Sequence, residues 1–194
     1  MHDAMNMRFF NLKIDVYVAG RWYLAAPMLL DGQRLDDPWV FTRGMPVDSP
    51  GRLLVPIHRP GNPLDFTTAG MGSTPILSER AAFVFRELAA RDTQLFPVDV
   101  EGQSEPYHLL VVARTVRCID DEACVEARYY TPEDGRLERV GEYQAVSGLR
   151  IDRSKVGDTR VFKTWGGHPA LIVDGEVKVA LEQAGIIGGY FEEV

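Results

Sequence analysis

The stretch YHLLVVARTVRC, at residues 107–118, is long, apolar and rich in β-branched residues. Such residues are enriched in strands, and a strand that is buried on both faces shows a near-continuous apolar run. We therefore predict that this stretch forms a central strand of a sheet. Its last residue, Cys118, continues the apolar phase of the run and is predicted to be a buried strand residue.

Shorter β-prone runs lie on both sides of this stretch. The first, FFNLKIDVYVAG at residues 9–20, alternates apolar with polar residues, which predicts a half-buried strand that ends at Gly20. Between residues 27 and 75, frequent proline and glycine favour short strands joined by irregular loops. Strands are predicted at residues 39–42, 52–58, 64–68, 94–100, 160–165 and 170–173, a hairpin at 126–131 and 137–146, and an edge strand or tail at 190–194.

Two segments carry apolar residues at the i, i+3, i+4, i+7 spacing of an amphipathic helix. The first, at residues 78–92, begins with Ser78 as its predicted N-cap. The second, at about residues 174–185, begins with Asp174 as its N-cap, and Gly185 occupies the position after the helix where a left-handed residue is favoured. The sequence thus predicts an α+β fold, a mainly antiparallel sheet of short strands with these two principal helices.

The length and composition are those of a soluble globular protein. The chain has 194 residues, of which 45% are hydrophobic and 25% charged, and no repeat, low-complexity tract or linker divides it. We expect residues 1–7 to form a frayed leader, with either Met1 or Met7 as the native start. Residues 8–194 are expected to form a single domain, and a division into two subdomains that share a core, about 8–75 and 76–194, stays open.

Features that direct proteins to membranes or out of the cell are not found in the sequence. The N-terminal MHDAMNMRFF lacks the basic and then apolar regions of a secretory signal. No apolar run approaches the roughly 18 residues needed to cross a membrane. With only two cysteines as well, we expect a reducing cytoplasm as the location and no membrane as a partner.

Charge is distributed unevenly along the chain. Residues 1–91 carry ten basic and nine acidic side chains, residues 143–194 carry six and seven, and residues 92–142 carry five and twelve. The middle segment therefore has a net charge of −7, equal to the formal net charge of the whole chain. Phosphate binding needs positive charge, so we predict no nucleic-acid partner. The acidic segment indicates either a basic protein partner or simply a well-solvated surface.

Residues that could support catalysis are few and scattered. No GxSxG, P-loop or GxGxxG motif occurs, and the histidines stand alone rather than in metal-ligand spacing. His108 lies in an apolar run and is interpreted as structural. His168 follows two glycines and is the best candidate for an enzyme, but it has no obvious partner. We predict that the chain is not an enzyme and needs no cofactor. The four histidines are His2, His58, His108 and His168.

The segment CIDDEAC, from Cys118 to Cys124, places three carboxylates between two thiols. A structural zinc site wants about four ligands, and no second pair of thiols is present. A calcium loop needs alternating ligands and a central glycine, and a disulfide is disfavoured in a reducing compartment. The segment is therefore interpreted as the end of a core strand followed by an acidic turn, and no metal site is predicted.

Three segments carry a resemblance to a known family. Residues 106–127, PYHLLVVARTVRCIDDEACVEA, resemble the pattern Y-x-L-L-V followed by V-x-C-I-D-x-x-x-S of a bacterial immunity protein family from polymorphic toxin systems. That family was formerly a domain of unknown function and is abundant in myxobacteria. Residues 77–100 match its central helix and following strand, and residues 161–194 are similar to its ending. The resemblance covers about residues 75–194, and Cys124 stands where the family often has serine.

The resemblance implies a cytoplasmic antitoxin without turnover. Such a protein binds the toxic domain of a cognate effector, which is normally encoded by the adjacent gene, and so protects kin from intoxication. Because many such toxins are basic nucleases, an acidic surface could block them. Exposed aromatic residues are the expected affinity anchors. The predicted toxin-binding residues are Asp120, Asp121, Glu122, Glu126, Trp165 and Tyr190.

Two other functions remain open at this point. One is a scaffold or regulatory module that binds a different protein, and the other is a small hydrolase or transferase that uses His168 or His108. The identity and activity of a toxin do not follow from the sequence. Pairing of two copies through an exposed edge strand would make a homodimer.

Overall fold

A computed structural model of the chain describes residues 7–167 and 169–194. In these residues it shows two α-helices, α1 (Glu79–Leu88) and α2 (Gly175–Gln183), among many short strands. The predicted α+β fold is therefore confirmed. The strands are β1 (Phe9–Ile14), β2 (Tyr23–Leu24), β3 (Met28–Leu29), β4 (Leu53–Val55), β5 (Ile57–Arg59), β6 (Phe66–Ala69), β7 (Thr74–Ser78), β8 (Thr93–Val100), β9 (Tyr107–Val112), β10 (Thr115–Val116), β11 (Glu126–Tyr129), β12 (Tyr143–Ser147), β13 (Val161–Thr164), β14 (Leu171–Asp174) and β15 (Gly189–Glu193).

The strands form two larger sheets and one separate hairpin. The eight-stranded sheet has the order β3-β4-β8-β9-β7-β6-β2-β5, the five-stranded sheet has the order β10-β13-β14-β1-β15, and β11 pairs with β12. Three pairings are parallel, namely β2 with β6, β4 with β8 and β10 with β13, and the other pairings of named strands are antiparallel. The final strand, β15, lies at an edge of the five-stranded sheet, as was predicted for residues 190–194.

The stretch at residues 107–118 supplies strands to both larger sheets. Its first part, β9, is buried at every residue and lies between β8 and β7, so the prediction of a central strand is confirmed there. The second part, β10, instead pairs with β13 in the five-stranded sheet. The prediction of one continuous strand is therefore wrong. Ala113 N donates to Asp92 O at 2.7 Å, and Arg114 O accepts from Lys163 N at 2.8 Å.

The apolar residues fall into three clusters. Along β9 the side chains alternate, with Leu110 and Val112 in a cluster that also contains residues of α1 and α2, and Leu109 and Val111 in a second cluster around Trp22. The third cluster lies where the hairpin meets the five-stranded sheet and contains the predicted buried Cys118, although this residue follows β10 rather than belonging to it. Because β9 separates two of the clusters, its register determines which residues enter each.

Both helices begin at the predicted N-caps. The Ser78 side chain accepts from Ala81 N, and Asp174 Oδ1 accepts from Val177 N at 2.8 Å. Gly185 has a φ of +63°, the left-handed conformation predicted for the position after the second helix. The first helix is shorter than predicted because it ends at Leu88, and the chain then turns into β8.

Two strand predictions fail for the same physical reason. The N-terminal strand ends at Ile14 rather than at residue 20, because Asp15 Oδ1 accepts from Tyr17 N at 2.9 Å and holds a turn. Residues 39–42 were predicted to be a strand but contain a 3-10 turn, where Asp37 Oδ1 accepts from Trp39 N at 2.9 Å. An aspartate that bonds the N–H two residues ahead competes with strand pairing.

The hairpin prediction is confirmed for the pairing but not for the extent of the second strand. β11 pairs antiparallel with β12 from Glu126↔Ser147 to Tyr129↔Tyr143. Residues 137–139, predicted to begin the second strand, instead form a 3-10 turn. The connection between the strands is therefore longer than the turn PEDG alone.

A buried carboxylate joins the two sheets. Asp65 precedes β6 and accepts hydrogen bonds from Arg80 Nε (2.7 Å), Arg80 Nη2 (2.6 Å), Ser78 Oγ (2.7 Å) and Ile187 N (2.8 Å). Ser78 ends β7 and caps α1, Arg80 lies in the first turn of α1, and Ile187 lies between α2 and β15. Burial raises the pKa of Asp65, but the bonds from Arg80, Ser78 and Ile187 outweigh it and leave the pKa below its usual value. The ionised carboxylate thus connects both helices and both larger sheets.

Replacing Asp65 with alanine is expected to lower the free energy of unfolding by about 3 kcal/mol, since the substitution removes the one buried acceptor shared by Arg80, Ser78 and Ile187. Chemical denaturation at neutral pH would measure this loss. Asp99→Ala is the matched control, because Asp99 also forms a two-bond pair with an arginine, Arg52, but on the surface. The control should change stability little. Equal losses in both variants would contradict the structural role given to Asp65.

The structural role of Asp65 also predicts that the free energy of unfolding depends on pH. Because the pKa of Asp65 is lower in the folded protein, the stability it contributes is present above the ordinary value of 3.8 and is lost as the pH falls through the lowered value. The stability difference between the wild-type protein and Asp65→Ala should therefore shrink below that pH.

Candidate functional site

The acidic hairpin, which we define as residues 120–147, contains a turn, β11, a long connection and β12. It carries eight acidic and three basic side chains, a net charge of −5. Its inner face packs on the third apolar cluster through buried Tyr143 and the partly buried Ala127, Tyr129 and Val146. The hairpin belongs to neither larger sheet, so its acidic side chains are concentrated on one part of the described structure.

Four acidic residues of the predicted segment 92–142 lie outside the hairpin, and three of them already have partners while Glu105 is exposed. Asp92 is buried, and its Oδ2 accepts from Arg160 N at 2.8 Å. Asp99 pairs with Arg52, and Glu101 Oε2 accepts from Ile57 N at 2.8 Å. The negative charge of the segment is therefore divided between structural carboxylates and the acidic hairpin.

Two of the predicted site residues, Asp120 and Asp121, make bonds within the hairpin region. Asp120 Oδ1 accepts from Ala123 N at 3.2 Å and so stabilises the turn. Asp121 accepts from the hydroxyls of Tyr129 (2.6 Å) and Tyr143 (2.5 Å), whose rings stack with centroids 4.5 Å apart. Burial raises the pKa of both tyrosines most, and the hydrogen bond to the Asp121 carboxylate raises it further. Both tyrosines therefore remain neutral donors. Asp121 therefore orders the hairpin.

The carboxylates of Glu122 and Glu126 are better placed for an external partner. Both residues are exposed, and Glu126 lies 3.6 Å from Arg128 Nε at the surface. The same hairpin exposes the apolar side chains of Val125, Leu137 and Val140. Exposed apolar groups surrounded by charged residues are typical of protein-binding surfaces.

Trp165 lies beside the hairpin. It is partly buried, and the guanidinium of exposed Arg117 sits 4.3 Å from the centre of its ring. The next residue, Gly166, accepts a bond from Tyr143 N at 2.9 Å, and a Cβ there would lie 2.5 Å from Tyr143 Cδ2. This close approach requires glycine and fixes Trp165 against the hairpin.

Tyr190, the sixth predicted residue, lies in the five-stranded sheet and not in the hairpin. It lies in β15 opposite Lys13 and is partly exposed at the wall of a cavity between strands. The structure thus brings Trp165 to the hairpin that contains Asp120, Asp121, Glu122 and Glu126, and places Tyr190 on the edge strand.

Sequence reasoning missed several residues of this surface. Tyr129 and Tyr143 were not singled out, although their alternation with polar neighbours is a signal that they face inward. Arg117 was missed because its contact with Trp165 joins residues 48 positions apart. The exposed Leu137 and Val140 lie in the connection that was predicted to be a strand.

Two histidines, His108 and His168, bear on the enzyme alternative. His168, the residue of the enzyme alternative, lies outside the described residues, as does His2. His108 is buried, and its Nδ1 lies 3.3 Å from Glu79 Oε2. Burial lowers the pKa of His108, so this contact is not an ion pair at neutral pH.

Clusters of metal-ligating side chains and long apolar helices are both absent from the described parts of the chain. No group of three or more His, Cys, Asp or Glu side chains there is arranged to hold a metal ion. No helix in the same residues has the length and apolar character to cross a membrane.

The two cysteines of CIDDEAC are both free thiols in different surroundings. Cys118 is fully buried, and burial raises its pKa to about 12. Cys124 is partly exposed, and its sulfur accepts a hydrogen bond from Arg150 N at 3.3 Å. Cys118 is therefore buried as predicted and an acidic turn follows it, but Cys118 lies beyond the end of β10 and not in a core strand.

Comparison with known proteins identifies a family. The model of a protein family described as Immunity protein family (Imm11) matches residues 7–194, which is nearly the whole chain. No curated protein matches the chain.

The two thiols should differ in reactivity. Because the thiolate is the nucleophile, Cys118 should remain unmodified by iodoacetamide at pH 8 in the folded protein, while the more accessible Cys124 reacts. Mass spectrometry of digested protein would assign the modified residue, with denatured protein as the control in which both react. Faster modification of Cys118 than of Cys124 would contradict its buried placement.

Proposed function

The chain belongs to the immunity protein family Imm11, and from this premise we propose that it is a cytoplasmic antitoxin that binds a cognate toxin in interbacterial competition. The family match over residues 7–194 is the observation that carries the proposal. We propose further that the toxin is encoded by the adjacent gene and that inhibition results from stoichiometric binding without turnover.

The proposed binding surface is the acidic hairpin together with Trp165. Exposed Val125, Leu137 and Val140 supply apolar contact area, and Glu122 and Glu126 supply negative charge beside it. A buried apolar centre with charged groups around it is a frequent arrangement in protein interfaces. The internal bonds of Asp121 favour this surface energetically, because a hairpin that is already ordered loses less conformational entropy on binding.

The charge of the hairpin favours a basic toxin surface. Long-range attraction between opposite charges raises the association rate and opposes binding of acidic proteins. A nuclease is one toxin class that fits, because its substrate-binding surface must attract phosphate groups. Covering that surface would block access of nucleic acid to the toxin, which is our proposed mode of inhibition.

The edge strand β15 is the part of the fold that we associate with a homodimer. Its Glu192 and Glu193 pair with Lys13 and Arg8, and these charged groups lie along the edge. A dimer would have to accommodate them, so it stays a prediction separate from toxin binding.

The division of residues 8–194 into two subdomains likewise stays a prediction.

Charge reversal in the acidic hairpin should weaken toxin binding. The test variant replaces Glu122, Glu126 and Glu138 with lysine, and leaves Asp120 and Asp121 unchanged because their carboxylates make bonds within the hairpin region. We expect an association rate at least about tenfold lower at low salt, and a weaker dependence on salt. Stopped-flow or surface plasmon resonance with the toxic domain encoded next to this gene would measure both.

The control variant replaces Asp48, Glu87 and Glu105 with lysine. These three exposed residues lie outside the hairpin, so the variant undergoes the same change in net charge at other positions. If both triple variants slow association equally, the overall charge rather than the hairpin controls it. If the wild-type protein fails to bind the toxic domain and to protect cells that produce it, the proposal of a cognate antitoxin is wrong.

A further inference from the structure

A cavity lies where two neighbouring strands of the five-stranded sheet separate. β1 pairs with β14 from Phe9↔Asp174 to Asn11↔Ile172 and no farther. Residues 12–14 and 169–171, which would continue this pairing, instead both line a cavity of about 640 Å³. Exposed residues of the wall, among them Ser147 and Gly148, show that the cavity communicates with solvent.

A lysine side chain is buried at this cavity. Lys163, in β13, is only 9% exposed and lines the cavity wall. The neighbouring Gly44 packs closely here, because a Cβ there would lie 2.3 Å from Thr115 Oγ1 and 3.1 Å from Lys163 Cβ. At the other end of the side chain, Nζ donates to Pro169 O at 3.3 Å, and Pro169 also lines the cavity. The ammonium group therefore lies at the cavity.

The Lys163 ammonium has no carboxylate partner within 4.0 Å among the described residues. The other lysine of the wall, Lys13, pairs with Glu192, which also lines the cavity. Burial lowers the pKa of Lys163 to about 8, so the side chain is still largely protonated at neutral pH. A buried positive charge that is not paired is costly, and an anion beside it would offset part of that cost.

The rest of the wall combines apolar and neutral polar groups. Leu12, Phe66 and Leu171 provide apolar surface, while Asn11 and Thr68 provide groups able to form hydrogen bonds. The cavity volume lies within the range of about 300–1,000 Å³ found for small-molecule sites. One cation against an apolar wall fits a ligand that has one anionic group and an apolar body.

We propose that this cavity binds a small organic carboxylate, with the carboxylate on Lys163 Nζ and an apolar body against Leu12, Phe66 and Leu171. The cavity shares Val146 and Ser147 with the acidic hairpin, but the proposed ligand contacts lie outside the hairpin and their occupation requires no toxin. Toxin binding and this site can therefore succeed or fail independently of each other.

Calorimetry with octanoate at pH 7 tests the proposal. Octanoate should bind the wild-type protein, and Lys163→Met should weaken binding by more than about tenfold, since a hydrogen bond to a charged group is lost. Lys155→Met is the matched control, because it removes a surface lysine that does not line the cavity, and it should change the affinity less than about twofold. Equal affinities of the wild-type protein and folded Lys163→Met would overturn the proposal.

Two further probes separate the parts of the ligand. 1-Octanol has the apolar body without the charge, and inorganic phosphate has the charge without the apolar body. Each should bind the wild-type protein more weakly than octanoate. If 1-octanol binds as tightly, the carboxylate has no role at Lys163, and if phosphate binds as tightly, the apolar wall has none. Either result would overturn the proposal as stated.

A measurement on the wild-type protein keeps the test valid if Lys163→Met does not fold. The chain has only four lysines, so NMR of protein with ¹³C-labelled lysine can assign Lys163 by replacing each of the other three with arginine in turn. Octanoate should raise the pKa of Lys163, because a nearby anion favours the charged form. An unchanged titration curve at saturating octanoate would overturn the proposal.

Discussion

The buried carboxylate of Asp65 is the interaction on which the junction of the two larger sheets depends. Its four hydrogen bonds connect the strand that follows it, the beginning of α1 and the chain after α2. Such a carboxylate is favourable only when its oxygens are fully bonded, because burial by itself opposes its charge. The helices and sheets must therefore meet with the correct geometry before this charge can be accommodated.

Other buried acidic residues also stabilise the fold by accepting hydrogen bonds from the backbone. Asp92 accepts bonds from the backbone at the start of β13, and Asp174 caps α2 while lying 3.7 Å from Arg160 Nε. These carboxylates are part of the acidic content of the chain, but they do not add to an exposed negative surface. The formal charge of a sequence segment is thus an incomplete guide to the charge that a partner meets.

The parts of the fold that sequence predicted well are those determined by neighbouring residues. Ser78 and Asp174 identified the helix starts because an N-cap bonds a backbone N–H only three residues away. The run at residues 107–118 identified a central strand, but its division between two sheets depends on β13, some 50 residues later. Local β-propensity is similar on both sides of the break and does not specify the partner strand.

In the candidate sites, too, features set by neighbouring residues were predicted, while features set by distant residues were not. The acidic turn was predicted, and Glu122 is exposed there, but the bonds of Asp121 depend on Tyr129 and Tyr143. The cavity at Lys163 arises from the separation of strands that are distant in sequence, so periodicity could not reveal it. A single lysine in an otherwise apolar strand was the available signal. The position of β1 between β14 and β15 also affects the order of folding: this early strand gains its partners only after residues 171–193 have been synthesised, so its sheet is completed late.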